Sequence, residues 1–439
     1  MSLFIRGAFI EGTPRSILIR EGKIAALLPS DAPLPGPEDG EGGEAEAGAG
    51  VARVIDGAGL HAFPSFKNGH THVAMVLFRG YGDDMPLMEW LQTRIWPAEG
   101  RLTEEDVYLG ARLGILEMIR GGTTFFNEMY WHRPAIVRAV EEMGVRALVG
   151  CTLIDLGDPK MLESQQREML DLAEGRIPIG DPDRVGLALA PHSIYTVPPD
   201  VLRWVGELAG RHHLPVHIHL SETQEEVDRC LEAHGCRPTV LLDRLGLVNS
   251  RLLAVHGQFL DEAELALLGE AKATLVTNPT ANLKLATGGI FPYRAAREAG
   301  VRVCLGTDGA ASNNNLDLLE EMKIAALVQK HREKDATVLP AREALAMATT
   351  TASEAFGLGR GGLEAGAPAD LVLMDFSGPS TQPLHDPVST LVYAANASHV
   401  HTTICAGRVL MHDGRVEICD EAEVIGSASE AIHRVLEGL

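Results

Sequence analysis

The chain has 439 residues, 45% of them apolar, and a formal net charge of -22. That length exceeds one ordinary domain and suits a large barrel with a smaller module. The acidic balance, with no Lys/Arg run, excludes a phosphate-backbone partner, and no run of ~18 apolar residues marks a membrane span.

In chain order, Leu3–Ile10, Ser16–Ile19 and Lys23–Leu28 read as short strands. Residues 34–50 are rich in Gly, Glu and Pro and read as a flexible surface loop. Val51–Ile55 resumes the strand pattern. From about residue 62 short apolar runs alternate with helical stretches. The predicted strands are Ala62–Phe66, Thr123–Asn127, Arg146–Leu153, Val185–Ala190, Pro215–Leu220, Leu252–His256, Thr274–Thr277 and Val301–Gly306. The predicted helices between and after them include Glu104–Arg120, Pro134–Met143, Gln224–Ala233, Glu262–Glu270, Leu316–Lys330 and Pro340–Ala355. Such alternation predicts a parallel (β/α)8 TIM barrel. Short strands return at Asp370–Met374, Val400–Cys405, Arg408–Met411 and Arg415–Ile418. The fold expected is therefore α/β: a catalytic barrel over 62–365, with a small β-sandwich domain built from both termini, 1–61 and 366–439.

Cys151, Cys230, Cys236, Cys304, Cys405 and Cys419 form no Cys-x-x-Cys pair. Cys151 and Cys304 lie in apolar runs and read as small buried hydrophobes. The set suggests no disulfide framework, which fits a reducing compartment, and the N-terminus lacks the order of a signal peptide, so the expected location is the cytoplasm.

The chemistry lies at predicted strand ends. In Asn68-Gly69-His70-Thr71-His72 two imidazoles two residues apart face one side of an extended chain. Strand five ends in His217-Ile218-His219-Leu220-Ser221-Glu222, where Ser221 and Gln224 also make a candidate capping box. Strand six ends in His256, and strand eight in Gly306-Thr307-Asp308-Gly309. Each motif alone is ambiguous: a loop histidine, a satisfied core histidine or a turn-capping aspartate. Together they put metal-ligand or acid–base residues on one rim of a barrel, where imidazoles and a carboxylate suit a divalent ion such as Zn²⁺. The motifs of P-loops, cytidine-type zinc deaminases and His-Glu-x-x-His proteases are absent.

This pattern resembles the amidohydrolase superfamily. The segments Leu77–Leu91, Ile95-Trp96-Pro97-Ala98-Glu99, Thr277–Leu285 and Gly306–Asn315 sharpen the likeness to its 5-methylthioadenosine/S-adenosylhomocysteine deaminases. The resemblance assigns His70, His72, His219 and Asp308 to the metal, and leaves His217 as a buried structural residue. It makes Glu222 the proton-shuttling acid and places His256 beside the attacking water. It puts Glu99 on the ribose hydroxyls and His192 against the substrate, with Glu222 and Asp308 reaching it as well. Strand four ends in Leu189-Ala190-Pro191-His192-Ser193, without the bridging lysine or acid of two-metal relatives. One Zn²⁺ per subunit is expected, with Fe²⁺ or another divalent ion as the substitute.

The implied activity is hydrolytic deamination of 5′-methylthioadenosine, S-adenosylhomocysteine, 5′-deoxyadenosine or adenosine to the inosine analogue and ammonia. The alternatives are a free purine or s-triazine on the same metal site, and a metal-free binding protein. Two departures stand out. The entry Pro64-Ser65-Phe66-Lys67 replaces Pro-Gly-apolar, and Asp155–Gln166 lacks a Gly-Arg pair that some relatives use, leaving Arg167 as the candidate substitute. Trp90 and Trp96, near the proposed pocket, read as core or wall residues and not as base-stacking platforms, and His132, His399 and His401 as surface or supporting histidines. The only partner implied is a small purine nucleoside; self-association is left open.

Overall fold

The computed structural model describes residues 2–35 and 51–439. Beyond Pro35, the loop expected over 34–50 falls outside the described residues.

The barrel strands are Phe66–Thr71, Thr123–Glu128, Arg146–Leu153, Val185–Pro191, Val216–Leu220, Leu252–His256, Thr274–Thr277 and Arg302–Leu305. They pair in sequence order, each neighbour parallel. Strand eight closes on strand one through Thr307 N and Asp308 N, which donate to His70 O at 3.1 and 3.0 Å. That closure needs Gly69: a Cβ there would lie 2.8 Å from Leu305 O and 2.9 Å from Val276 Cγ1.

The interior is a packed floor. Phe125, Leu148, Ala188 and Leu253 fill one layer, sealed by Phe356 and Leu358, and Val255, Val276 and Cys304 pack beside them. Inward-facing apolar side chains drive closure, so polar groups at the strand ends stand on dry ground.

The first barrel strand differs from expectation. Leu60–Pro64 belongs to the other sheet, pairing antiparallel with Leu371–Asp375. The chain changes sheets at Ser65, whose N–H donates to Asp370 O, while Phe66 N donates to Gly122 O. The pair Pro64-Ser65 stands at the switch, between the two strands.

Among the described residues the terminal strands form one connected, mixed sheet of nine strands. In it Leu371–Asp375 joins the C-terminal strands Val400–Cys405, Arg408–His412 and Arg415–Val416 to the N-terminal ones. Leu3, Ile5, Ile17, Ile19, Ile55, Leu371 and Ile404 form its own core.

Most helices fall where periodicity puts them, several with side-chain caps, such as the Thr103–Asp106 box that starts Glu104–Arg120. The expected helix Pro340–Ala355 is broken at Thr349 into Ala341–Ala348 and Thr350–Ala355. A final helix, Glu421–Leu436, is not among the sequence expectations; Asp420 caps it and Arg112 and Arg120 anchor it to Glu104–Arg120 through Glu423 and Glu421.

Candidate active site

Four side chains converge at the C-terminal rim. His70 Nε2 lies 3.3 Å from His219 Nε2 and 3.4 Å from Asp308 Oδ1, and His72 Nε2 lies 3.3 Å from the same oxygen. The three imidazoles offer nitrogens within 4.8 Å of one another. A tetrahedral ion with bonds of about 2.0–2.1 Å spaces its ligand atoms about 3.3–3.4 Å apart.

The proton positions strengthen the fit. His219 Nδ1 donates to His192 O at 2.9 Å, and His72 Nδ1 donates to the Met129 carbonyl. Each donation fixes the proton on Nδ1 and leaves Nε2 a bare lone pair. His70 Nδ1 is 2.9 Å from His217 Nε2, so the same tautomer has an acceptor there. Lone pairs and a carboxylate oxygen aimed at one point repel unless a cation joins them. Burial holds His70 neutral, its pKa lowered to about 3, and drives His219 well below the usual imidazole range.

Surrounding groups fix these ligands. Glu128 Oε2 accepts the Val73 N–H at 2.9 Å, pinning the backbone just after His72. Asp308 Oδ2 accepts from Ser312 Oγ at 2.9 Å. Ser221, His256 and Asp308 all have left-handed backbones, with φ of 50°, 72° and 62°. Such non-glycine conformations cost energy and are retained where neighbours over-determine them.

Glu222 and His256 stand over the cluster. Glu222 Oε2 is 3.7 Å from His256 Nε2, and burial raises the Glu222 pKa, opposed by His256. The capping role suggested for this segment belongs to Thr223, which accepts from Glu226 N at 3.2 Å. Glu226 in turn accepts from Ser221 N and Glu222 N, at 2.8 and 2.9 Å, and so fixes the turn that aims Glu222. His192 ends strand four, its ring centroid 4.7 Å from that of His219, with Nδ1 2.9 Å from Thr196 Oγ1. Glu99 enters from the segment after strand one. Its Oε1 accepts from Tyr130 OH at 2.7 Å, and the Tyr130 ring centroid is 6.2 Å from that of His72. Burial pushes the Glu99 pKa up to about 7.

All eight expected site residues thus gather at one mouth. Residues 62–410 match the amidohydrolase family. The chain belongs to the amidohydrolase family.

This amidohydrolase is 51% identical over 383 residues to a 5′-deoxyadenosine deaminase of Methanoregula boonei, covering 87% of this chain and 86% of that one. It is 42% identical over 372 residues to a 5-methylthioadenosine/S-adenosylhomocysteine deaminase of Pyrococcus furiosus, covering 85% and 88%. Among solved structures it matches an adenosine deaminase from Xanthomonas campestris with bound zinc, at TM-score 0.89 and 36% identity, over 99% of this chain and 98% of that one. An atrazine chlorohydrolase from Arthrobacter aurescens matches at TM-score 0.87 and 22% identity, covering 98% and 100%, a likeness of fold.

Four features of this amidohydrolase escaped the sequence reading: the His70–His217 bond, the Met129 carbonyl, Tyr130 and the Asn278–Asn282 pair at His256. Tyr130 follows strand two, so the strand-end rule that found the histidines would also have found it. Trp90 is buried, Trp96 is 50% exposed, and Arg167 stands exposed on helix Pro159–Ala173. His132 is exposed before helix Arg133–Met143, and His399 and His401 lie in the C-terminal segment of the other sheet.

Proposed function

We propose that this amidohydrolase is a zinc-dependent deaminase that hydrolyses the exocyclic amine of an adenine nucleoside, with 5′-deoxyadenosine, 5′-methylthioadenosine, S-adenosylhomocysteine and adenosine as its substrate class. The observation that carries the reading is the Glu99–Tyr130 pair beside the His/Asp cluster. A carboxylate there suits a ribose diol, which a free base or s-triazine lacks.

His70, His72, His219 and Asp308 would hold one divalent ion, zinc by donor set. When bound, the ion supplies the Lewis acidity that makes water a nucleophile near neutral pH. Asp308, which would help hold the ion, can take a proton from that water. Glu222, favoured in its protonated form by burial, delivers a proton to ring N1, so that C6 loses electron density. Water oxygen bonds to C6. Glu222, emptied by the transfer to N1, takes the proton of the new C6 hydroxyl and passes it to the amine. The C6–N bond breaks to release ammonia and leave the C6 carbonyl, and the proton held by Asp308 returns to Glu222. His256 orients the attacking oxygen. Glu99 anchors the 2′ and 3′ hydroxyls and His192 packs against the base, which fixes C6 in line for attack.

On the same footing, the chain divides into a composite β domain, 1–61 and 366–439, and a catalytic barrel, 62–365, with strand Leu60–Pro64 across the boundary. No helix among the described residues is long and apolar enough to cross a membrane.

The test is a panel at fixed zinc-loaded enzyme: the four nucleosides, adenine and an s-triazine, followed by absorbance and ammonia release. Turnover of nucleosides and not of adenine supports the reading; equal rates on adenine or the triazine refute it.

A further inference from the structure

The proton on His256 decides what that ring can do, and two neighbouring side chains set where it sits. Nε2 of His256 faces Glu222. Nδ1 faces two carboxamides, with Asn282 Nδ2 at 3.0 Å and Asn278 Nδ2 at 3.3 Å. The ring and both asparagines are buried. Asn278 follows strand seven and Asn282 sits on helix Pro279–Lys284. An amide nitrogen only donates. A ring nitrogen that receives such bonds offers a lone pair, and the single proton of a neutral imidazole then sits on the other nitrogen.

The geometry points to Asn278 and Asn282 as positioning residues that hold His256 as the Nε2–H tautomer. The role rests on the deaminase reading above. In this tautomer His256 presents an N–H toward Glu222 and the attacking oxygen. It can donate a hydrogen bond to an oxygen that is gaining charge, and it cannot take that oxygen's proton. Proton removal falls to Asp308 and relay to Glu222, which assigns two carboxyl groups the acid–base work and the imidazole a donor's role.

The surroundings hold the pair in place. Asn278 Oδ1 is pressed against Gly306, where an added Cβ would come within 2.4 Å of it, so the amide has little room to swing from the ring. Glu321 Oε2 accepts from Thr280 N at 3.2 Å and so anchors the helix that carries Asn282. With both amides turned over, two oxygens would meet Nδ1, require a proton there and leave Nε2 as a base. The two arrangements differ in a measurable way.

The experiment is nitrogen-15 NMR of zinc-loaded enzyme labelled at histidine, with the His256 signals identified by their loss in His256→Gln. The expected spectrum shows Nδ1 unprotonated and Nε2 protonated. In Asn282→Asp a carboxylate fills the same space, the proton moves to Nδ1, and kcat falls about 10²-fold. KM and zinc content should stay within about twofold. Asn278→Asp should act in the same direction and serves if the first variant does not fold. A wild-type spectrum with the proton on Nδ1, or aspartate variants with unchanged spectrum and kcat, overturns the assignment. The spectrum is read without turnover, so a failure to deaminate any nucleoside would sink the functional reading and leave the tautomer to be judged on its own.

Discussion

Glu222 Oε2 lies 3.7 Å from His256 Nε2, the two groups arriving from the ends of neighbouring strands five and six. Neither contributes to the three-histidine group able to hold an ion. Proton relay by Glu222 and metal binding are therefore separable by substitution.

Glu222→Gln keeps the shape and removes the transferable proton. The variant should bind zinc as the parent does and lose about 10³-fold in kcat, the range of general acid–base catalysis. Metal analysis beside single-turnover deamination checks both halves. A variant that retains most of its turnover would remove the shuttle from the account.

Glu99→Ala should separate ribose from base. Loss of charge-assisted bonds to two hydroxyls lowers kcat/KM for 5′-deoxyadenosine by about 10²-fold. Binding of a purine base analogue should change by less than about threefold. Equal losses for nucleoside and base would mean that Glu99 supports the pocket and does not grip the sugar.

Glu321 is fully buried and joins two parts of the site. Its Oε1 accepts from Asn313 Nδ2, which also donates to the Thr307 carbonyl just before Asp308, and its Oε2 accepts from Thr280 N. Glu321→Ala leaves a buried donor unpaired and should cost about 1–3 kcal/mol of stability. It should also weaken zinc binding, because the Asp308 turn loses a tether. Denaturant unfolding and a zinc competition titration read the two effects; unchanged zinc affinity would limit Glu321 to the scaffold.

Lys67 stands in the barrel's interior row, in register with Phe125, and is fully buried. Its Nζ donates to Ser65 O at 2.6 Å and Ser65 Oγ at 3.0 Å. Burial, then Arg146, lowers its pKa from 10.5 to about 7. Between those values the unfolded chain binds the proton that the native chain lacks, so stability rises with pH across the window. The slope from this group approaches about 1.4 kcal/mol per pH unit. Lys67→Met should be more stable at pH 7 and should lose that slope. Unfolding of both proteins from pH 7.5 to 9.5, with zinc in excess, gives the difference directly. Parallel stability curves would mean that Lys67 keeps its proton in the folded barrel.

Much of the site was legible because a parallel barrel puts every strand's C-terminal end on one rim. His70, His72, His219, His256 and Asp308 each sit at such an end, so strand recognition alone brought them together. What stayed hidden depends on pairing across the chain. The switch of sheets at Ser65 is marked only by the Pro64-Ser65 pair, which does not say which sheet each flanking strand joins. His217 looked structural because its value lies in one bond to a residue 147 positions away. Asn278 and Asn282 lay in a segment the resemblance had already singled out, yet nothing in their spacing says which ring they face. The helix Glu421–Leu436 follows short strands and a run of acidic residues, and only its packing on Glu104–Arg120 gives its apolar face a partner.

The most direct measurement is a zinc titration of metal-free protein, following the initial rate of ammonia release from 5′-deoxyadenosine. The rate should rise linearly from near zero and break at one ion per chain. Activity without metal, or a break at two ions, would contradict the single-ion site of His70, His72, His219 and Asp308.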